Sequence, residues 1–190
     1  MTGALLLEFS LAGCQLDYAE LTSAQFTNTA SFRRAQFTNG ANFVGAQFTN
    51  TASFEEAQFS GRANFVGTQF TGRAFFKNAQ FIGVAFFLGI QFTNATDFWG
   101  AQFTNGANFA GAQFTRWANF EGAQFTDVAF FWGAQFTDGA NFEGARMASS
   151  TLLDSIWPPG WTTRPAQSDN GEDPAFRYLT RVEDGNPPDT

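Results

Sequence analysis

Twenty-two phenylalanines recur at alternating steps of five and six residues between Phe26 and Phe142. A short fixed period of this kind restricts a chain to a repeat architecture, in which each unit stacks on the next. The unit reads Ala-Gln-Phe-Thr-Asn-Gly-Ala-Asn-Phe-x-Gly, as in Ala35–Gly45. Within it the apolar residues sit two apart: Ala24 and Phe26, Ala30 and Phe32, Ala35 and Phe37. Two apart is the period of a strand, whose alternate side chains share a face. An eleven-residue apolar period also suits a right-handed helical coiled coil. That alternative fails because the apolar pairs are not three and four apart, and because Gly, Asn and Thr are poor helix formers. Each step is therefore a very short strand followed by a corner. Asn39-Gly40, Asn105-Gly106 and Asp138-Gly139 supply six-residue corners, since Asn, Asp and Gly tolerate turn geometry. Phe-x-Gly, as at Phe43–Gly45, supplies the five-residue ones.

Aligned at 22 residues, the chain shows further columns. Gly45, Gly67, Gly89, Gly111 and Gly133 form one; half a period away stand Arg34, Glu56, Asn78, Gly100, Gly122 and Gly144. Beside the first column run Val44, Val66, Leu88, Ala110 and Trp132, and beside the second Arg33, Glu55, Lys77, Trp99, Glu121 and Glu143. Neighbouring 11-mers differ while alternate ones agree, so one coil takes 22 residues and has four sides. Successive coils then stack at the strand spacing, about 4.8 Å. The Gln columns, Gln25 to Gln135 and Gln36 to Gln124, are expected to form amide ladders along the stack.

The ends keep a plain five-residue step: Leu6, Leu11, Leu16, Leu21, Phe26 at one and Phe142, Met147, Leu152, Trp157 at the other. Cys14-Gln-Leu-Asp-Tyr, Ala19-Glu-Leu-Thr-Ser and Ala24-Gln-Phe-Thr-Asn resemble the units of pentapeptide-repeat proteins, over roughly residues 4–157. The resemblance implies an all-β fold, a right-handed quadrilateral β-helix. The extra residue in every second step departs from a regular square. Cys14 falls on the small inward position and is expected to be buried. As the only cysteine it excludes a disulfide framework, and with no histidine the chain lacks the residues of zinc clusters and of Ser-His or Cys-His catalysis. The Ala4–Leu7 run is too short for a membrane span and no basic segment precedes it, so it reads as a first, capping coil of a cytoplasmic protein.

All six prolines lie after Trp157, which divides the chain into a solenoid over residues 1–157 and a Pro-rich, acidic extension over 158–190. Asp173, Pro174, Phe176, Leu179 and Val182 suggest a short helix near 174–183. The extension is placed either to cover the open edge of the last coil or to grip a partner.

The net charge is −7, of which the extension carries −3. In quinolone-protecting members of the resembled family an acidic solenoid imitates B-form DNA and binds DNA gyrase, so the resemblance implies DNA gyrase as an alternative partner. Seven bases stand among the solenoid's eleven acids, however, far below one net charge per ~1.7 Å of duplex axis. The residues flanking Phe43, Phe65, Phe87, Phe109 and Phe131 are more telling. Val44, Val66, Phe86, Leu88, Ala110, Phe130 and Trp132 should all point outward on one apolar wall. Large apolar patches mark interaction surfaces. The Thr column from Thr49 to Thr137 has Gln, not Thr, beside it, which argues against ice binding. A coil filled with Phe leaves no catalytic cavity. The sequence is read as a non-enzymatic protein-interaction scaffold without cofactors or metals. Val44, Val66, Phe86, Leu88, Phe130 and Trp132 are its interaction wall; self-association into a homodimer is one form this takes. Direct contacts to nucleic acid or membrane are not expected.

Overall fold

The computed structural model describes residues 1–151 and 155–182. Each coil has four faces. The first is a seven-stranded parallel sheet from Leu5–Leu7 and Gln25–Thr27 to Gln135–Phe136. Six parallel strands from Ala30–Ser31 to Ala140–Asn141 make the second. On the third, strands run from Gln36–Asn42 through Gln58–Phe59 to Arg146–Ala148. On the fourth they pass through Arg62–Asn64 and Ala85–Phe86 to Ala129–Phe130. Along the Phe repeat every register pairs residue i with residue i+22, as in Gln69↔Gln91 and Ala85↔Ala107. The coil of 22 with four sides is therefore the observed one. In the early coils Gln15–Glu20 and Gln36–Asn42 bend through a corner without breaking, joining the third and fourth faces into one sheet.

The interior holds four columns of phenylalanine: Phe26 to Phe136, Phe32 to Phe142, Phe37 to Phe125 and Phe43 to Phe131. Within a column the rings lie parallel, with centroids from 4.3 Å (Phe26–Phe48) to 5.2 Å (Phe65–Phe87) apart. Those distances are set by the coil rise. Adjacent columns meet edge to face, as at Phe43–Phe54 (5.4 Å, 89°), an arrangement that suits the ring quadrupole. Alanines two residues before most rings fill the corners, with Ile90 in that place before Phe92. Where Thr68 and Thr96 replace them, the buried hydroxyls donate to the carbonyls of Phe43 (2.7 Å) and Asn94 (3.3 Å), so neither threonine leaves its hydroxyl unpaired.

Two kinds of corner alternate. The five-residue corner needs a left-handed residue: Gly67 has φ +63°, and in the half-period column Arg34 and Glu56 adopt +57° without a glycine's freedom. The six-residue corner on the third-to-fourth edge places glycine in one of two ways, except at Thr126-Asp127-Val128, which has none. Asn39 and Asn105 are followed by Gly40 and Gly106 at positive φ. Gly61 and Gly83 instead come first; a Cβ on Gly83 would lie 2.2 Å from the Gly61 carbonyl oxygen of the coil below.

The two ends differ from expectation. Cys14 is exposed, not buried. Its position is inward in the repeat, but it belongs to the first coil, and only the following coil packs against it, through Gln36 N–H to the Cys14 carbonyl (2.9 Å). At the other end the expected helix near 174–183 is a strand, Phe176–Arg181. Asp173 does start a turn, accepting from Ala175 N–H (2.9 Å). The chain then extends, because the last coil presents an unpaired edge at Arg146–Ala148 and Phe176–Arg181 pairs antiparallel with it. An open edge satisfies a strand and not a helix. Trp161–Pro165 completes the cap as a second antiparallel strand. Arg164 holds it closed through two 2.7 Å bonds to Glu172. Trp157 lies on Phe131 (5.6 Å, 27°) and so ends that interior column, while Leu152 falls outside the described residues.

Candidate functional site

With the interior filled, whatever the solenoid recognises must meet its outer walls. The fourth face carries the apolar residues. Val44, Val66, Leu88, Ala110 and Trp132 form one column, joined coil to coil by backbone bonds such as Gly67 N–H to Leu88 C=O (2.9 Å). Phe86 and Phe130 share a second column with Asn64 and Asn108. Val44, Val66, Phe86 and Leu88 are half-buried against their neighbours, Phe130 is exposed, and Trp132 leaves 71 % of its surface in solvent. The residues read from the sequence thus share one face, with the bulk of the free apolar area towards the C-terminal end.

Three further residues extend this wall. Val84 and Val128 form an outer column with Arg62 and Gly106. They precede the inward Ala85 and Ala129, so the two-residue period already pointed them outward. Ile156, beyond the repeat, bridges Phe130 in parallel register and adds its exposed side chain to the patch. Arg62 reaches over the Phe86 ring at 5.3 Å, the one cation set against these aromatics among the described residues.

The second face, opposite, mixes charge with aromatics. Arg33 pairs with Glu55 (3.5 Å) and Arg34 with Glu56 (2.7 Å) across one coil step, and Arg116 with Asp138 (3.2 Å) on the neighbouring edge. The hydrogen bond from Arg34 holds the Glu56 carboxyl below its usual range. Lys77 lies over Trp99 at 4.5 Å. Phe75 and Trp117 stand on the same face, Trp117 exposed.

The polar columns are mostly occupied with the coil itself. Thr49, Thr71 and Thr93 donate to the carbonyls of Phe26, Phe48 and Phe70 at 3.2 to 3.4 Å, which engages the hydroxyls with backbone. Of the expected Gln ladders, one rung forms among the described residues, Gln58 to Gln80 at 3.2 Å; elsewhere Gln124 accepts from Arg146 (3.0 Å). Most of these glutamines are exposed and hydrated, and an amide at a coil step gains little by exchanging water for its neighbour. Among the described residues no three Cys, Asp or Glu side chains gather to hold a metal ion, and no helix is long and apolar enough to cross a membrane.

A family model described as pentapeptide repeats (9 copies) matches residues 11–58, 54–102, 87–135 and 98–146, together most of the chain. No curated protein matches it.

Proposed function

We propose, from the premise that this chain belongs to the pentapeptide-repeat family, that it is a non-enzymatic scaffold binding protein through the apolar wall of its fourth face. The observation that carries this reading is Trp132. It is 71 % exposed and flanked by exposed Phe130 and Ile156 in a molecule whose other large rings are mostly packed. Aromatic anchors of this kind dominate binding energy when a partner covers them. Self-association through the wall is the simplest form of this activity, since an exposed apolar strip also covers itself. The test replaces Phe86, Leu88, Phe130 and Trp132 with serine and compares mass by light scattering and partners by pull-down. Smaller assemblies or lost partners are expected. Assemblies and partners identical to those of the unmodified protein would overturn the reading.

The net charge of −7 favours a second reading, a DNA-mimicking ligand of DNA gyrase or another topoisomerase. Against it stand the cross-coil pairs of Arg33, Arg34 and Arg116, which break the acidic surface into patches. A supercoiling assay separates the two: inhibition of gyrase supports mimicry, and unaltered supercoiling rejects it.

A further inference from the structure

The second face contains a notch that the wall hypothesis does not use. Arg73, Ala95, Trp117 and Gly139 occupy one outward column on four successive coils, joined by bonds such as Ala74 N–H to Ala95 C=O (3.3 Å). Large and small residues alternate along it. Gly139 lies against the six-membered ring of Trp117, so close that a Cβ there would stand 3.3 Å from Cζ3. That contact backs the Cζ3–Cε3 edge of the indole on the side of the next coil. On the other side of Trp117 a depression of about 320 Å³ extends over Ala95 to Arg73, with Phe75 also in its lining.

The polar lining is complementary. Asp97 accepts from Trp99 N–H (2.9 Å) and Asn119 Nδ2 (3.1 Å) on its Oδ1 alone, and its Oδ2 has no partner among the described residues. Asn94 accepts from Ala95 N–H (2.8 Å) on its Oδ1, and its amide NH2 is a donor without a partner among the described residues. Arg73 is exposed and makes no ion pair among the described residues. The notch therefore offers two aromatic side chains, Trp117 and Phe75, one acceptor-only group and two donor-only groups. A ligand matching it must present C–H surface to the ring together with groups that both donate and accept.

The geometry points to a pyranose ring of a carbohydrate, stacked on Trp117 and hydrogen-bonded by Asp97, Asn94 and Arg73. Thickness favours it over a flat aromatic ring. Arg73 and Trp117 are two coil rises apart, about 9.6 Å at strand spacing. Removing the contact half-thickness of each wall leaves about 6 Å. A planar ring, about 3.5 Å thick, would touch only one wall. A puckered ring with axial hydrogens and equatorial hydroxyls spans more of the gap, and the flexible Arg73 closes the rest. Polarised C–H groups suit the electron-rich indole face, and neighbouring hydroxyls suit a carboxylate beside an amide donor.

Saturation-transfer NMR on the full chain tests this, with the methyl glycosides of glucose, galactose, mannose and N-acetylglucosamine as probes and phenol as the flat-ring comparison. At least one glycoside is expected to receive saturation, strongest at the protons of one ring face. The signal should fall to background in Trp117→Ala and in Ala95→Phe, which fills the notch from an outward position, and persist in Trp132→Ala on the opposite face. Unchanged melting of each variant shows that the coil is intact. No transfer to any glycoside, transfer to phenol alone, or transfer that survives both Trp117→Ala and Ala95→Phe would overturn the assignment.

Discussion

Phe87 is the most demanding position at which to test how the solenoid is held together. Its ring is fully buried, stacked between Phe65 (5.2 Å) and Phe109 (4.6 Å) and met edge-on by Phe81, Phe98 and Phe76 at 5.5 to 5.9 Å. Truncation to alanine removes the ring from a site whose four walls are stiff sheets, so little collapse can refill the space. Buried Phe→Ala changes cost about 3–5 kcal/mol, and the rigid surroundings place this one in the upper half, about 4–5 kcal/mol. Phe87→Leu keeps most of the apolar volume but loses these five ring pairs, each about 0.5–1.5 kcal/mol, of which the leucine's own contacts restore part, so a cost of about 2–3 kcal/mol is expected, below that of Phe87→Ala. Phe136→Ala provides the contrast: that ring lies in the last full turn, is only half-buried, and should cost roughly half as much as Phe87→Ala. Urea unfolding followed by far-ultraviolet circular dichroism gives the three values from midpoints and slopes. A loss below about 1 kcal/mol for Phe87→Ala, or equal losses at Phe87 and Phe136, would refute the argument that stacked rings in a closed interior carry the stability.

Two further outcomes follow from the corners and the cap. Gly83→Ala drives a methyl into the Gly61 carbonyl, and the residue after it is Val84 where Asn39 and Asn105 have a glycine to relieve the corner; a loss of about 1–3 kcal/mol and a lower Tm are expected, and an unchanged Tm would count against the close approach. The cap should loosen in acid. Hydrogen bonds from Arg164 hold the Glu172 carboxyl at about 2 against its ordinary 4.5, so the closed cap binds fewer protons than the open one between those values. Its contribution is complete above 4.5 and drains as the pH falls towards 2. Protection factors at Tyr178 and Thr180, taken against the intrinsic exchange rate at each pH, should fall over that range. In Glu172→Gln the protection factors should be lower at neutral pH and change little in acid, and identical profiles for the two proteins would dismiss the pair.

The interior was legible in the sequence because one residue type repeats at one spacing. A column of phenylalanines aligned at 22 is at once the pattern and the core. The outer walls were legible in part. Val44, Val66, Phe86, Leu88, Phe130 and Trp132 share a face as their parity requires, while Val84 and Val128 obey the same parity one strand position earlier. Ile156 precedes the inward Trp157 as Phe130 precedes Phe131, so the same parity reaches it, but the plain five-residue steps after Phe142 take it out of the 22-residue alignment. The notch depends on side-chain size along one column, Arg73 then Ala95 then Trp117, and the same alignment shows it once the column is read for volume. The ends were opaque for a different reason. Cys14 has the inward position of a repeat but lacks the preceding coil that would bury it. Phe176–Arg181 has apolar residues at helical spacing, yet its structure is set by an open strand edge some thirty residues earlier in the chain, and local spacing carries no record of that edge.

The length of the coil is the claim on which the rest depends, and cross-linking measures it directly. In a Cys14→Ser background, Gln69→Cys with Gln91→Cys places two thiols on the same face of adjacent coils, in direct parallel register. Their Cα atoms stand about 4.8 Å apart, within the range a disulfide bridges. Gln69→Cys with Gln80→Cys places them on the first and third faces, with the interior between. Mild oxidation should close the first pair within the monomer and leave the second reduced. Closure of the 69–80 pair with the 69–91 pair left open would show a coil of eleven residues and contradict the four-sided solenoid.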